Sequence, residues 1–137
     1  MFDINYIAVL VAAIAAFIVG MLWYSPVLFG SQWQKLMGFS EEELKKMKEK
    51  SMAPSMIIMM LSQLVMAFVL AHIIDVFGAF ELTPALEVGF WLWLGFMATK
   101  NLGVVLWLGK SWNLYFLNAM YDLVTLLVMA AILGPWQ

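Results

Sequence analysis

The chain has no cysteine, no arginine and a single histidine, His72. Without cysteine there are no disulfides, no thiol catalysis, no Cys-ligated zinc and no iron–sulfur cluster. One histidine excludes a His-based metal site or a bis-His haem within a single chain. Arginine is the planar, bidentate side chain favoured for phosphate and carboxylate recognition. Its absence, with a net charge of −2, gives no basis for a nucleic-acid partner. Catalytic signatures are missing too: no Gly-rich phosphate loop, no His-Glu-x-x-His and no Gly-x-Ser-x-Gly. Ser25 has no base near it in sequence, and His72 is expected at the opposite membrane face. No enzyme activity, cofactor or metal site is therefore expected.

Charge is scarce as well. Charged residues make up 12% of the 137 positions, against the ~25% usual in globular domains. Hydrophobic residues make up 65%, and the mean hydropathy is +0.93. A small domain has a large surface for its volume, so this composition would leave wide apolar patches in water. Lipid removes that problem. Four apolar runs, 4–24, 55–77, 84–108 and 112–133, each approach the ~20 residues that cross the hydrocarbon core as helix. They are continuous rather than alternating, which argues against a β-barrel. The first run follows Asp3 rather than a basic region and is too long for a signal peptide, so it is expected to be a retained helix.

The expected fold is a single all-α domain, a four-helix transmembrane bundle. Short turns at 78–83 and 109–111 make spans two and three, and three and four, antiparallel neighbours. Lys35, Lys45, Lys46, Lys48 and Lys50 follow the first span, and Lys110 follows the third; the other exposed segments hold no lysine. The positive-inside rule then places these two segments in the cytoplasm and both termini outside, in a bacterial-type cytoplasmic membrane. Within the long segment, 40–50 is expected to be a short helix. Ser40 and Glu43 have capping-box spacing, and Glu41–Lys45 and Glu42–Lys46 are helical charge pairs.

The string Leu22-Trp-Tyr-Ser-Pro-Val-Leu-Phe-Gly-Ser-Gln-Trp33 is the most distinctive in the chain. Trp23, Tyr24 and Trp33 suit an interface, Pro26 pushes Ser25 out of helical geometry, and Gly30 permits a turn. Interfacial anchoring accounts for all of them. With Leu94-Gly-Phe-Met-Ala-Thr99 and Asn118-Ala-Met-Tyr-Asp-Leu-Val124, this string resembles the signature of a bacterial and fungal membrane-protein family, domain of unknown function seventeen-sixty-one. The resemblance implies a four-helix membrane fold and carries no assigned activity or site residue. Phe29-Gly-Ser-Gln-Trp33 and Leu108-Gly-Lys-Ser-Trp112 share the form apolar-Gly-x-x-Trp, compatible with a parallel repeat of two helical hairpins or with common turn chemistry.

The most informative residues are polar and lie within the spans. The third carries Thr99, Lys100 and Asn101; the fourth carries Asn118, Tyr121, Asp122 and Thr125 on one helical face. Measured from the turn between them, Lys100 and Asp122 fall at similar depth, ~12 and ~15 Å. An intramembrane ion pair is expected, with Thr99, Asn101, Asn118 and Tyr121 as neighbours and Gln63 and Ser62 of the second span at a similar level. Such a layer is either polar glue that fixes helix register or an ion, proton or solute path; alternatively, Lys100 snorkels away and leaves Asp122 with Asn118 and Tyr121. His72 and Asp75 form an outer-rim pair, read either as a titratable antenna or as a helix end meeting headgroups. Gly89, Gly95 and Gly103 are expected to allow close helix approach, and the twelve methionines to fill packing gaps rather than bind copper. The leading functional expectation is assembly, as a small homo-oligomer or an accessory subunit of a membrane-protein partner within the lipid bilayer. A small transporter or ion pathway is the alternative.

Overall fold

The structure, a computed structural model, describes residues 3–136. Four helices are long and apolar enough to span a membrane, and among the described residues there is no strand. The first, α1 (Tyr6–Trp23), starts at Asn5, whose side chain accepts from the Ile7 and Ala8 amides at 3.1 and 3.2 Å. Those amides have no intrahelical partner, so the cap satisfies them. Ala8, Ala12 and Ala16 recur every fourth residue and form one fully buried face.

The chain then turns into two short helices, α2 (Gly30–Met37) and α3 (Glu41–Glu49), before the second span, α4 (Ala53–Phe77). Only α3 was expected from the sequence. Its cap forms as the spacing predicts: Ser40 Oγ accepts from the Glu43 amide at 3.1 Å and donates to Glu43 Oε1 at 3.2 Å. Pro54 sits in the first turn of α4, where its missing N–H costs nothing. Gly78, at φ +64°, ends that helix in a left-handed cap that favours glycine.

The third span differs from the uninterrupted helix expected. It begins as α5 (Leu82–Leu92), widens into a π-helical turn at Trp93–Ala98, tightens into a 3-10 turn at Lys100–Leu102, and ends as α6 (Gly103–Leu106). Local chemistry favours the irregularity. Gly95 and Gly103 are weak helix formers, and Thr99 Oγ1 donates back to the Gly95 carbonyl at 2.8 Å. The fourth span is α7 (Trp112–Leu133), capped by Ser111, whose Oγ accepts from the Leu114 amide at 3.2 Å.

Helix α7 occupies the centre, packed against α1, α4 and α5, while α1 also packs on α4. Spans two and three, expected to be neighbours, instead flank an apolar groove of about 630 Å³ with Leu126 of α7 at its base. Small residues explain the choice. A Cβ on Gly89 would stand 3.3 Å from both Ala130 Cβ and the Leu126 carbonyl, so α5 is fitted to α7. Gly95 has open space around it and serves no close approach.

The bundle is tight at one end and open at the other. At the tight end Asn5 Nδ2 donates to the Trp136 carbonyl at 3.3 Å, holding the two termini together over buried Ile74, Ala85 and Leu133. At the open end Lys110 Nζ donates to the Met37 carbonyl at 3.1 Å. That places a cation on the last carbonyls of α2, where the helix dipole favours it. Every lysine except Lys100 belongs to the segments at this open end. The two apolar-Gly-x-x-Trp strings differ in conformation: Gly30 opens a helix, whereas Gly109 sits in a turn at φ +69°.

Candidate functional site

The turn after α1 is built by Ser25. Its carbonyl accepts from the Leu28 and Gly30 amides at 3.1 and 2.8 Å, and its hydroxyl donates to the Leu22 carbonyl at 2.7 Å. The backbone passes so close that a Cβ on Gly30 would stand 2.5 Å from the Tyr24 carbonyl oxygen. Glycine is needed there for space. Pro26 is exposed at the tip of the turn. This fold-back sets Trp23 against Phe29, with ring centroids 4.6 Å apart, and Trp33 edge-on to Tyr24 at 5.6 Å. Trp23, Tyr24 and Trp33 are half-buried against the bundle and do more than line an interface.

Tyr24 reaches across to α7. Its hydroxyl donates to Asn118 Oδ1 at 2.7 Å, and its ring meets Tyr121 edge-on at 5.1 Å. Asn118, Tyr121, Asp122 and Thr125 share one face of α7, as their spacing requires. Gln63 of α4 completes the layer: Nε2 donates to the Tyr121 hydroxyl at 3.5 Å, a long bond. Gln63 is only 3% exposed, yet its Oε1 has no hydrogen-bond partner among the described residues. Thr125 lies buried one turn beyond Tyr121. Gly20 makes room for Tyr121, since a Cβ there would stand 2.8 Å from the tyrosine hydroxyl.

Asp122 has a different partner from the one expected. Asn101 Nδ2 donates to Asp122 Oδ2 at 2.8 Å, while Thr99 and Lys100 are exposed on the outside of the bundle. The π turn and the 3-10 turn change the angular phase of the helix, so position 101 rather than 100 faces α7. Two more bonds hold the irregular segment to α7: Trp93 Nε1 donates to the Ala119 carbonyl and Tyr115 Oη to the Ala98 carbonyl, both at 2.7 Å. A π turn pinned in this way commonly marks a functional position.

These groups line a cavity of about 790 Å³ at the open end of the bundle. Asp122 is on its wall, ten residues into α7, or about 15 Å along the helix. Tyr24, Trp33, Tyr115, Asn118 and Tyr121 form the surrounding surface, and Lys110 and Met37 mark the side where α2 approaches. A second cavity, of about 660 Å³ between α1 and α4, shares Tyr24 and Tyr121 with the first and reaches Gln63. Of the polar residues singled out in the sequence, Gln63, Asn101, Asn118, Tyr121 and Asp122 thus converge, and Thr99, Lys100 and Ser62 stay outside. His72 is toward the tight end. Its Nδ1 pairs with the Phe68 carbonyl at 2.8 Å, and its ring meets Phe68 at 4.4 Å. Asp75, one turn on, accepts the Gly78 amide at its carbonyl at 3.1 Å. Tyr115, Trp93 and Gly20 escaped the sequence reading. Tyr115 was the most accessible of them, being three residues before Asn118 on the same helical face.

A family profile described as a protein of unknown function (DUF1761) matches residues 7–134. The chain belongs to the DUF1761 family. The match takes in the whole polar site of this DUF1761 protein, from Tyr24 through Gln63 and Asn101 to Asp122. No curated protein and no solved structure matches it.

Proposed function

We propose that this membrane protein handles a small solute or ion at Asp122, within a cavity that opens at the lysine-rich end of the bundle. The observation that carries the reading is the partnering of Asp122. A carboxylate inside a candidate span lines a cavity and is met by the neutral amide of Asn101. A charge near the centre of a membrane helix costs roughly 2.5–3.5 kcal/mol on insertion scales, so it is retained where it is paired or wet. Register-fixing glue works best as a closed, satisfied layer. Here the layer is open on one side, and Gln63 keeps an unpartnered oxygen. By the lysine distribution, the cavity faces the cytoplasm of a bacterial-type inner membrane.

Reconstituted into vesicles, the protein is expected to dissipate an imposed gradient of protons, alkali cations or a hydrophilic organic cation faster than Asp122→Asn. Equal rates for the two proteins would sink the pathway reading.

A second reading, assembly as a homo-oligomer or accessory subunit, rests on Lys100. This lysine is exposed on the outside of the third span, four residues short of the beginning of Val104-Val105-Leu106. A charge facing outward there is costly beside lipid unless it snorkels to the interface or meets another protein. The mass of the complex purified gently from its native membrane tests this. A fixed stoichiometry that Lys100→Met abolishes supports assembly, and a monomer unchanged by the substitution removes it.

A further inference from the structure

The cavity carries more information than the presence of a charge. Its volume, about 790 Å³, lies within the range of pockets that take whole small organic molecules. A bare calcium ion would need about six to eight oxygen ligands. Asp122 is the one acid among the described lining residues, and two of the lining oxygens are already engaged: Asn118 Oδ1 accepts from Tyr24, and Asp122 Oδ2 from Asn101. Aromatic surface is plentiful instead. Tyr24 meets Trp33 at an interplanar angle of 70° and Tyr121 at 66°, so the three rings form adjoining walls rather than a stack. Aromatic faces beside a carboxylate attract a large, weakly hydrated cation, by the ring quadrupole and by charge respectively. No lysine competes at the carboxylate, because Lys100 is outside the bundle and Lys110 is held by the Met37 carbonyl. Met37, Met47 and Met52 complete the lining with flexible, polarizable side chains that adapt to varied apolar shapes.

We propose that this cavity binds a monovalent organic cation, an ammonium or phosphonium centre on an apolar body. Asp122 is its counter-charge, and Tyr24, Trp33 and Tyr121 are its aromatic walls. The proposal rests on the reading of Asp122 as the solute-handling group and adds the chemical class of the solute.

The test is equilibrium binding of tetraphenylphosphonium to the full chain in nanodiscs of zwitterionic lipid, with empty discs as the partition control. Tetraphenylborate, of the same shape and opposite charge, is the companion probe. Saturable binding of the phosphonium alone is expected. Asp122→Asn should weaken it at least tenfold, Asp122→Glu by only a few-fold, and Trp33→Leu by about three- to tenfold. Trp33 holds none of the polar layer's hydrogen bonds, so Trp33→Leu decides the matter should Asp122→Asn fail to fold. Lack of saturable binding, equal binding of borate, or binding indifferent to both Asp122→Asn and Trp33→Leu overturns the proposal. If vesicle flux still depends on Asp122 while the phosphonium does not bind, the organic-cation class falls and the pathway reading stands. Loss of both dependences removes both.

Discussion

Replacing Asn101 by alanine removes the side-chain donor that meets Asp122 at 2.8 Å, while replacing Lys100 removes a side chain that faces away from the bundle. The two neighbours therefore offer a sharp comparison. Hydrogen bonds to charged groups contribute about 1.5–3 kcal/mol in proteins. Interhelical polar contacts in a membrane average ~0.6 kcal/mol and reach ~1.7. Asp122 is half-buried and borders the cavity, so the value should fall where these ranges meet, at about 1.5 kcal/mol. A double-mutant cycle isolates it: Asn101→Ala, Asp122→Ala and the pair, by reversible unfolding in mixed micelles, with a parallel cycle on Lys100→Ala. The Asn101 cycle should return that coupling, and the Lys100 cycle should close within about 0.5 kcal/mol. Larger coupling for Lys100 than for Asn101 would refute the geometry, because it would restore the ion pair that the π turn rotates apart.

Gly20→Ala should destabilise the fold by about 1–3 kcal/mol through overpacking against the Tyr121 hydroxyl; adding Tyr121→Phe should recover much of the loss, as read by thermal unfolding. Gly30→Ala should cost more and resist rescue, because the atoms its Cβ meets are backbone oxygens of Tyr24 and Ser25, which have no rotamer to change. Lys110→Met should loosen α2 without unfolding the spans, seen as faster thiol labelling at Gln34→Cys. For topology, Gln34→Cys and Phe80→Cys should label from opposite sides of the membrane; labelling from one side would end the four-span arrangement.

The four spans were legible because membrane helices are written in composition: each long apolar run in the sequence became a helical span within a few residues, the third with irregular winding. The polar face of α7 was legible for the same reason, since a regular helix turns spacing into geometry. What the sequence concealed lies where the helix is irregular. A constant 1.5 Å rise puts Lys100 and Asp122 at similar depth, but depth does not say which side of the span faces α7. Gly95 and Thr99 were visible, but whether they produce a π turn depends on Trp93 and Tyr115 finding carbonyls on and beside α7. That is tertiary information. The placement of α7 between α4 and α5 was hidden likewise, because a short connection fixes order along the chain and not contact. Helix α2 was missed because Gly30 reads as a turn former, whereas its role is to let two stretches of backbone touch.

The widened turn at Trp93–Ala98 also changes what a gain or loss of chain length does to this span. In a regular helix, deleting one residue rotates everything beyond it by about 100° and swings buried faces outward. A π turn already holds surplus chain, so a deletion inside it can be absorbed by relaxation to an ordinary helix, leaving the flanking faces where they were. Among the described residues, the third span is thus the one membrane helix that can be shortened by a residue without rephasing either end. The same deletion in α1 or α7 would turn the alanine face or the Asp122 face away from its partner.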